Sequence, residues 1–260
     1  MLSATANFRI ITENMTRSLE TTAARPDVSR QTEYYLAHIG EVKSIDDFLA
    51  NDRLYRYAMK AHGLEDMIYA KAFIRKVLEE GTDDSSSFAN SLSDKRYRQF
   101  AETFNFQRFG ESTTAFDRTQ QGTVDQYYRQ TLEEQAGDQD EGVRLALYFE
   151  RKAAAVEDVY ELLADPALLK VTQVMLGFSE ATGAIDIDRQ ADMISARLDI
   201  EDFKDPEKLQ TLLTRFTSLW EAQKQPDFAL NAAALIGGSV SFGISGDLLA
   251  SIQNLRLGGS

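Results

Sequence analysis

The chain contains no cysteine among its 260 residues. This absence excludes disulfide bonds, thiol catalysis and thiolate metal sites, and it leaves the redox compartment open. Histidine is almost as scarce, since only His38 and His62 occur. Neither lies near other side chains at the spacing of a metal-ligand set, so we expect no metal site and predict structural roles for both. His62 precedes Gly63, where an imidazole can stabilise the C-terminus of a helix.

Turn-forming residues are also few, with 4 prolines and 15 glycines. Such a composition excludes an all-β protein with many tight turns. Alanine, leucine, glutamate, glutamine, arginine and lysine are plentiful and favour helix. Because 43% of the residues are hydrophobic, the chain can bury the core of one large domain or two small ones. We therefore predict an all-α protein.

Positive charge is in short supply, because 28 Lys and Arg face 41 Asp and Glu, and the formal net charge is −13. An acidic surface repels nucleic-acid phosphates and anionic lipids, so we expect neither as a partner. The longest apolar stretch, residues 228–244, contains Asn231 and is a poor candidate for a membrane span. The first residues lack the pattern of a Sec signal peptide. We expect a cytoplasmic protein, or one exported without a cleavable signal.

Motifs that carry chemistry are missing as well. The sequence has neither a Gly-x-Gly-x-x-Gly fingerprint nor a phosphate-binding P-loop. "GISGD" at 243–247 has Asp247 where a nucleophile elbow needs glycine. "DIDRQAD" at 186–192 lacks the glycine and the distal glutamate of a calcium loop, and it is typical of a helix start. We therefore expect no catalytic residue, no cofactor and no enzymatic activity.

What the sequence does contain is an approximate internal repeat. "LANDRLYRYAMKAHGL" at 49–64 is similar to "LADPALLKVTQVMLGF" at 163–178. Leucine, Asx and glycine positions coincide when the two stretches are aligned 114 residues apart. A solenoid has a period of about 20–50 residues, so this spacing indicates a duplicated module instead. The alternative is that the shared helical period alone produces the alignment.

The same order of elements is predicted in both halves: a long helix, a capped short helix, an Asx break, a helix ending in glycine, a helix, a loop and a helix. Ser44 with Asp47 is typical of a capping box. The predicted fold is a helical bundle built from two similar, duplicated multi-helix modules. We expect "QRFGESTTAFDRTQQG" (107–122) to be a loop or exposed linker and "EEQAGDQDEG" (133–142) to be a solvated turn. The predicted parts are an N-terminal segment (1–27), a first module (28–106), a connector (107–141), a second module (142–221) and a C-terminal tail (222–260).

The tail contains an amphipathic stripe at helical spacing, formed by Ile244, Leu248, Ile252 and Leu255. An apolar stripe is costly to leave in water, so these four residues are the predicted partner-binding site. The alternative is that the tail belongs to the core.

Two long stretches resemble a known family. Residues 32–81, with "SIDDFLAND" and "RYAMKAHGLEDM", and residues 198–221, with "DPEKL", are similar to an alphaproteobacterial family of uncharacterised proteins, a domain of unknown function. Its members are often encoded among flagellar genes, which implies a role in flagellar assembly or motility. The family has no established catalytic residues.

Two functions are consistent with these patterns. The first is a non-enzymatic helical interaction or structural protein of flagellar assembly or motility, located in the flagellum by signal-less export or in the cytoplasm. The second is a cytoplasmic export chaperone or regulator that binds a partner between the two modules. Both imply a protein partner, which includes flagellar components, and both leave homo-oligomerisation open.

Overall fold

The computed structural model of the chain describes residues 2–224, apart from the side chains of Glu180 and Ala181. Within this range the secondary structure consists of α-helices and short 3₁₀ turns and contains no strand. The all-α prediction is therefore confirmed for the part of the chain that the structure describes.

The helices of the first half are short and follow one another closely. They are α1 (Ala4–Glu13), α2 (Met15–Ala23), α3 (Pro26–His38), α4 (Ile45–Ala50), α5 (Asp52–Ala61), α6 (Lys71–Glu80), α7 (Phe88–Ser91), α8 (Lys95–Thr103) and α9 (Phe106–Phe109). Turns of 3₁₀ helix lie at Ile39–Glu41, Glu65–Met67, Gly110–Ala115 and Asp117–Thr119.

The second half has longer helices at its start and end. They are α10 (Gln121–Gln139), α11 (Glu141–Ala153), α12 (Val159–Ala164), α13 (Pro166–Leu176), α14 (Ile187–Ser195) and α15 (Pro206–Lys224). Turns of 3₁₀ helix lie at Glu180–Ala184 and Ile200–Lys204.

The buried apolar side chains form two clusters. The first cluster takes its residues from α3 to α10, and Phe48, Tyr55 and Phe104 are fully buried in it. The second takes its residues from α1 and from the end of α10 to α15, with Phe149 and Phe216 at its centre. Helix α10 belongs to both clusters, because its early residues pack in the first and its last turn packs in the second. The two halves thus share one long helix.

Helix α1 lies in the second half, although it begins the described chain. Its buried residues Ala4 and Phe8 belong to the second cluster, and α1 packs against α11 and α15. The backbone breaks at Asn14, which ends α1 and precedes α2. The residues from Phe8 to Leu19 are therefore divided between two helices.

The helix caps of the two halves fall at corresponding positions. Ser44 caps α4 by accepting a hydrogen bond from the backbone N–H of Asp47 at 3.1 Å. Asp158, 114 residues later, caps α12 in the same way by accepting from Glu161 N–H at 3.0 Å. A polar N-cap of this kind satisfies backbone donors that the helix itself leaves unpaired.

The Asx and glycine positions of the repeat also have matching local geometry. Asn51 and Asp165 each accept a hydrogen bond from the N–H three residues later, at 3.2 and 3.1 Å. Gly63 and Gly177 follow α5 and α13 with φ of 68° and 69°, a left-handed conformation that favours glycine. These local matches agree with the predicted duplication, and the duplication itself stays a prediction.

Two expectations about the connector are wrong. Residues 107–122 form α9 and 3₁₀ turns, and Thr113, Thr114 and Thr119 are buried there, so the segment is not an exposed linker. Thr114 donates a hydrogen bond to the carbonyl of Val42 at 2.8 Å and anchors the segment on the first half. Residues 133–139 complete α10 instead of forming a solvated turn, and Glu133 is buried there by ion pairs with Arg129 of the same helix and Arg151 of α11.

Candidate functional site

The most highly charged buried site lies on α10, between the two clusters. Glu133 is only 1% exposed. Its carboxylate accepts hydrogen bonds from Arg129 Nε at 3.0 Å, and from Arg151 Nε and Nη2 at 2.7 Å each. Arg129 is one helical turn before Glu133, so both side chains lie on the same face of α10. A buried carboxylate is stabilised only when it is paired in this way.

The network extends from Glu133 into the neighbouring helices. Arg129 Nη2 also donates to Glu150 Oε2 at 2.8 Å, and Glu150 Oε1 accepts from Gln210 of α15 at 3.1 Å. On the other side of α10, Lys60 of α5 forms an ion pair with Glu134. The polar network therefore ties α5, α10, α11 and α15 together.

A cleft of about 340 Å³ opens beside this network. It is lined by Thr12, Met15, Arg129, Glu150 and Arg151. The guanidinium groups in its wall already bind the carboxylates of Glu133 and Glu150. The charges that line the cleft thus neutralise one another.

His62 lies at the end of α5, against α8. Its Nδ1 is 2.9 Å from the carbonyl oxygen of Ala58, and its Nε2 is 3.2 Å from Thr103 Oγ1. The carbonyl can only accept, so the proton belongs on Nδ1. Burial lowers the pKa of His62 to about 4. The ring is therefore neutral at physiological pH, and both nitrogens have structural contacts.

His38 is remote from His62 and has local contacts of its own. Its ring stacks on Tyr34 with centroids 4.1 Å apart, and its Nδ1 lies 2.8 Å from the carbonyl oxygen of Tyr34. The structure does not bring the two histidines together. Among the described residues, no group of three or more His, Asp or Glu is placed to hold a metal ion.

Lys152 links the two halves at the end of α11. Its Nζ donates a hydrogen bond to Gln99 Oε1 of α8 at 2.7 Å. Burial, followed by the positive charge of Arg151, lowers the pKa of Lys152 to about 8. The amine therefore loses its proton far more readily than an ordinary lysine. The lowered pKa agrees with this contact, because Nζ binds the neutral amide oxygen of Gln99 and not a carboxylate.

Sequence reasoning missed the charged network at the centre of the molecule. Arg129 and Glu133 stand at i, i+4 spacing, which is also typical of a solvated helix face. The neighbouring glycines and acids of α10 suggested a loop, and nothing in the local sequence indicates that Arg151 approaches from another helix. The pairing depends on tertiary packing.

The predicted partner-binding residues Ile244, Leu248, Ile252 and Leu255 lie outside the described residues. The structure does describe the place from which their segment continues. Lys224 Nζ, at the end of α15, is 3.2 Å from Asp140 Oδ2, and Glu221 Oε2 accepts from Thr5 Oγ1 of α1 at 3.3 Å. None of the helices in residues 2–224 is long and apolar enough to cross a membrane.

Comparisons with known proteins give a family and a related structure. The family described as protein of unknown function (DUF1217) matches residues 61–209. The crystal structure of protein AGR_C_984 from Agrobacterium tumefaciens, a structural genomics target, is similar with a TM-score of 0.78 and 50% sequence identity. That match covers 84% of this chain and 93% of the other. A search of the curated proteins finds no match.

Proposed function

Because the chain belongs to the DUF1217 family, whose function is unknown, we propose a function from its own residues: it is a non-enzymatic interaction protein that acts through its outer surfaces and its tail. The match supports the coarser part of the sequence resemblance, which was to a family of uncharacterised proteins. The association of that family with flagellar genes stays a prediction, and it supplies the cellular setting of the proposal.

One observation carries the proposal. The charged side chains of the central network are bound to one another, with Glu133 held by Arg129 and Arg151. An active site presents convergent groups that are free to meet a substrate. In the central network the same residue types hold helices together.

The tail supplies a second support. Helices α1 and α15 pack side by side, and Ala4 N–H donates a hydrogen bond to Glu221, so the end of α15 lies beside the start of α1. The apolar stripe of Ile244, Leu248, Ile252 and Leu255 follows in the sequence. Such an arrangement suits assembly with a flagellar component or with a second copy of the chain.

The cellular experiment is a deletion of the gene, with motility and flagellar morphology as readouts. We expect reduced motility that the intact gene restores. Complementation with the stripe variant Leu248→Lys/Ile252→Lys should fail, because two charges interrupt the apolar stripe. The matched control is Ala250→Lys/Gln253→Lys, which adds the same charge on the opposite side of the helical period and should restore motility. Normal motility of the deletion strain would refute the flagellar role.

The alternative function is a cytoplasmic export chaperone or regulator with a partner between the two modules. Helix α10 occupies the junction of the two clusters, and the cleft of about 340 Å³ opens beside it. This cleft is the feature that favours the alternative. The two functions differ in location: a chaperone is absent from sheared hook and filament fractions, and a structural protein is present in them.

A further inference from the structure

An exposed apolar surface lies on the second half where α12 meets α14. Tyr160 of α12 is 48% exposed and Ile187 of α14 is 53% exposed. The hydroxyl of Tyr160 donates a hydrogen bond to Asp188 Oδ1 at 2.9 Å, which places the two helices side by side. We call Tyr160, Ile187 and the acidic residues around them the α12–α14 face.

The α12–α14 face is rich in unpaired negative charge. In the part of the chain that the structure describes, its acidic residues form no ion pair, and the exposed cation on α14 is Arg189. Asp158 and Asp186 each accept backbone N–H hydrogen bonds at the start of a helix. The acidic residues are Glu157, Asp158, Glu161, Asp186, Asp188 and Asp192.

The hydroxyl of Tyr160 responds to this charge. Its pKa is raised, first by the hydrogen bond to Asp188 and then by the negative charges of Asp188, Asp192 and Asp158. The hydrogen bond to Asp188 thus joins the exposed ring of Tyr160 to the acidic side of this face.

The corresponding surface of the first half contains ion pairs between its acids and the cations of α6. Arg75 of α6 lies 2.6 Å from Asp46 of α4, and Lys71 lies 3.4 Å from Asp52. In sequence, α14 aligns with α6 at a separation of 120 residues. In this alignment the buried residues Ile74 and Leu78 correspond to the buried residues Ile194 and Leu198.

At that separation the cations of α6 have no counterparts in α14. Ala191 stands in the place of Lys71, and Ser195 stands in the place of Arg75. Asp46 and Asp52 of the first half are therefore ion-paired with cations of α6, whereas the acids of the α12–α14 face, where Tyr160 stands in the place of Asp46, have no ion-pair partner among the described residues. Unpaired like charges destabilise a surface, so their presence beside exposed Tyr160 and Ile187 calls for an external counterpart.

We propose that the α12–α14 face binds a basic amphipathic segment of a partner protein, with its apolar side chains on Tyr160 and Ile187 and its Lys or Arg residues on Asp188 and Asp192. The proposal rests on the proposed function as a protein-binding molecule and names the partner's chemistry. Tyrosine is a favourable anchor in protein interfaces, and opposite charge sets orientation and association rate. The acidic rim repels the phosphates of nucleic acids and anionic lipids.

The test uses the full chain and a synthetic amphipathic helix of leucine and lysine, about 14 residues long. A scrambled peptide of the same composition is the ligand control. We expect the amphipathic peptide to bind more tightly and to shift the backbone NMR signals of α12 and α14. Equal affinity for both peptides, or signal changes spread over the whole surface, would show that only net charge is recognised and would overturn the proposal.

Variants assign the binding to the face. Asp188→Asn/Asp192→Asn should weaken peptide binding about fivefold, since each exposed charge pair contributes modestly. Glu13→Gln/Glu20→Gln removes two exposed charges from α1 and α2 and should leave binding within about twofold. Equal effects of the two double variants would contradict the proposal.

A second variant tests the apolar part. Tyr160→Ser/Ile187→Ser should lose about tenfold in affinity with unchanged helical content, because both side chains are exposed in the free protein. Unchanged affinity would remove the apolar contact from the proposal.

The cellular readout separates this inference from the proposed function. If deletion of the gene impairs motility and the Asp188→Asn/Asp192→Asn variant restores it fully, binding at the α12–α14 face is refuted while the proposed flagellar function stands. If deletion has no effect on motility but the peptide binds as expected, the flagellar role fails while the binding face stands.

Discussion

The two halves of the molecule share their helix caps and differ in what fills and covers them. In the first cluster, rings stack in series: Tyr35 lies 4.3 Å from Tyr57, which lies 3.8 Å from Tyr127. In the second cluster aliphatic residues dominate, and the ring pairs are Phe149 with Phe203 at 5.2 Å and Phe216 with Trp220 at 5.8 Å. The surface charges also differ, because Asp46 and Asp52 of the first half form ion pairs with α6 and the acids of the α12–α14 face form none among the described residues. The two halves thus have matching helix caps but different cores and surfaces. This indicates that the path of the backbone depends on a few local signals, while the core and surface residues can vary.

The largest expected effect tests the two cores at aligned positions. Phe48→Ala should destabilise the protein by about 4 kcal/mol and Leu162→Ala by about 3 kcal/mol, because both side chains are fully buried. Phe48 also loses its stacking on Phe104, at 4.9 Å. Urea unfolding measures both. A smaller loss for Phe48→Ala than for Leu162→Ala would contradict the greater role of ring packing in the first half.

The next effect concerns the junction of the halves. Glu133→Ala should cost about 3 kcal/mol, since Arg129 and Arg151 would be left without their buried carboxylate. Glu141→Ala is the matched control, because it removes the partner of Arg144 in an exposed ion pair and should cost less than about 1 kcal/mol. Similar losses in the two variants would show that the network contributes no more than a surface pair.

A pH effect is expected from the first half. The pKa of His62 is about 4 in the folded protein and about 6.5 in an unfolded chain. Between these values the unfolded chain binds the proton and the folded protein does not, so stability falls as pH decreases from 6.5 to 4. The expected loss is roughly 3 kcal/mol. His62→Gln should flatten this part of the pH profile, and an unchanged profile would show that the buried ring does not cause it.

The smallest effect separates the two Asx caps. Asn51→Ala should cost about 1 kcal/mol. Asp165→Ala should cost about 2 kcal/mol, because its carboxylate accepts a short, charge-assisted hydrogen bond from Tyr148 at 2.6 Å, whereas the amide of Asn51 donates a longer one to Tyr34 at 3.3 Å. The Tyr34→Phe/Tyr148→Phe variant provides the check: in that background the two cap losses should become equal, and a persistent difference would assign it to another cause.

Local signals account for what the sequence could predict. Ser44, Asn51, Gly63, Asp165 and Gly177 stand where the structure begins or ends helices. Capping chemistry involves residues only a few positions apart, so a single sequence is enough to find it.

Helix α10 shows why the rest was missed. Its buried residues lie around the helix, with Tyr127 in the first cluster and Ala136 in the second. A helix packed on several sides has no single apolar stripe, and hydrophobic periodicity is the main signal of a helix in sequence. Arg151, which pairs with Glu133, and Arg75, which pairs with Asp46 of α4, come from other helices. Such pairs depend on the three-dimensional arrangement.

The position of α1 has a consequence for the order of events during synthesis. Its contacts with α15 join residues more than 200 positions apart, as between Thr5 and Glu221. A ribosome adds about 5–20 residues per second, so α1 leaves the ribosome on the order of 10–40 seconds before α15 does. During that interval the apolar surface around Phe8 lacks the residues of the second cluster against which it packs in the folded protein. The first cluster, whose residues all lie between Val28 and Tyr127, can form during the wait, and α1 then joins a second cluster that closes last.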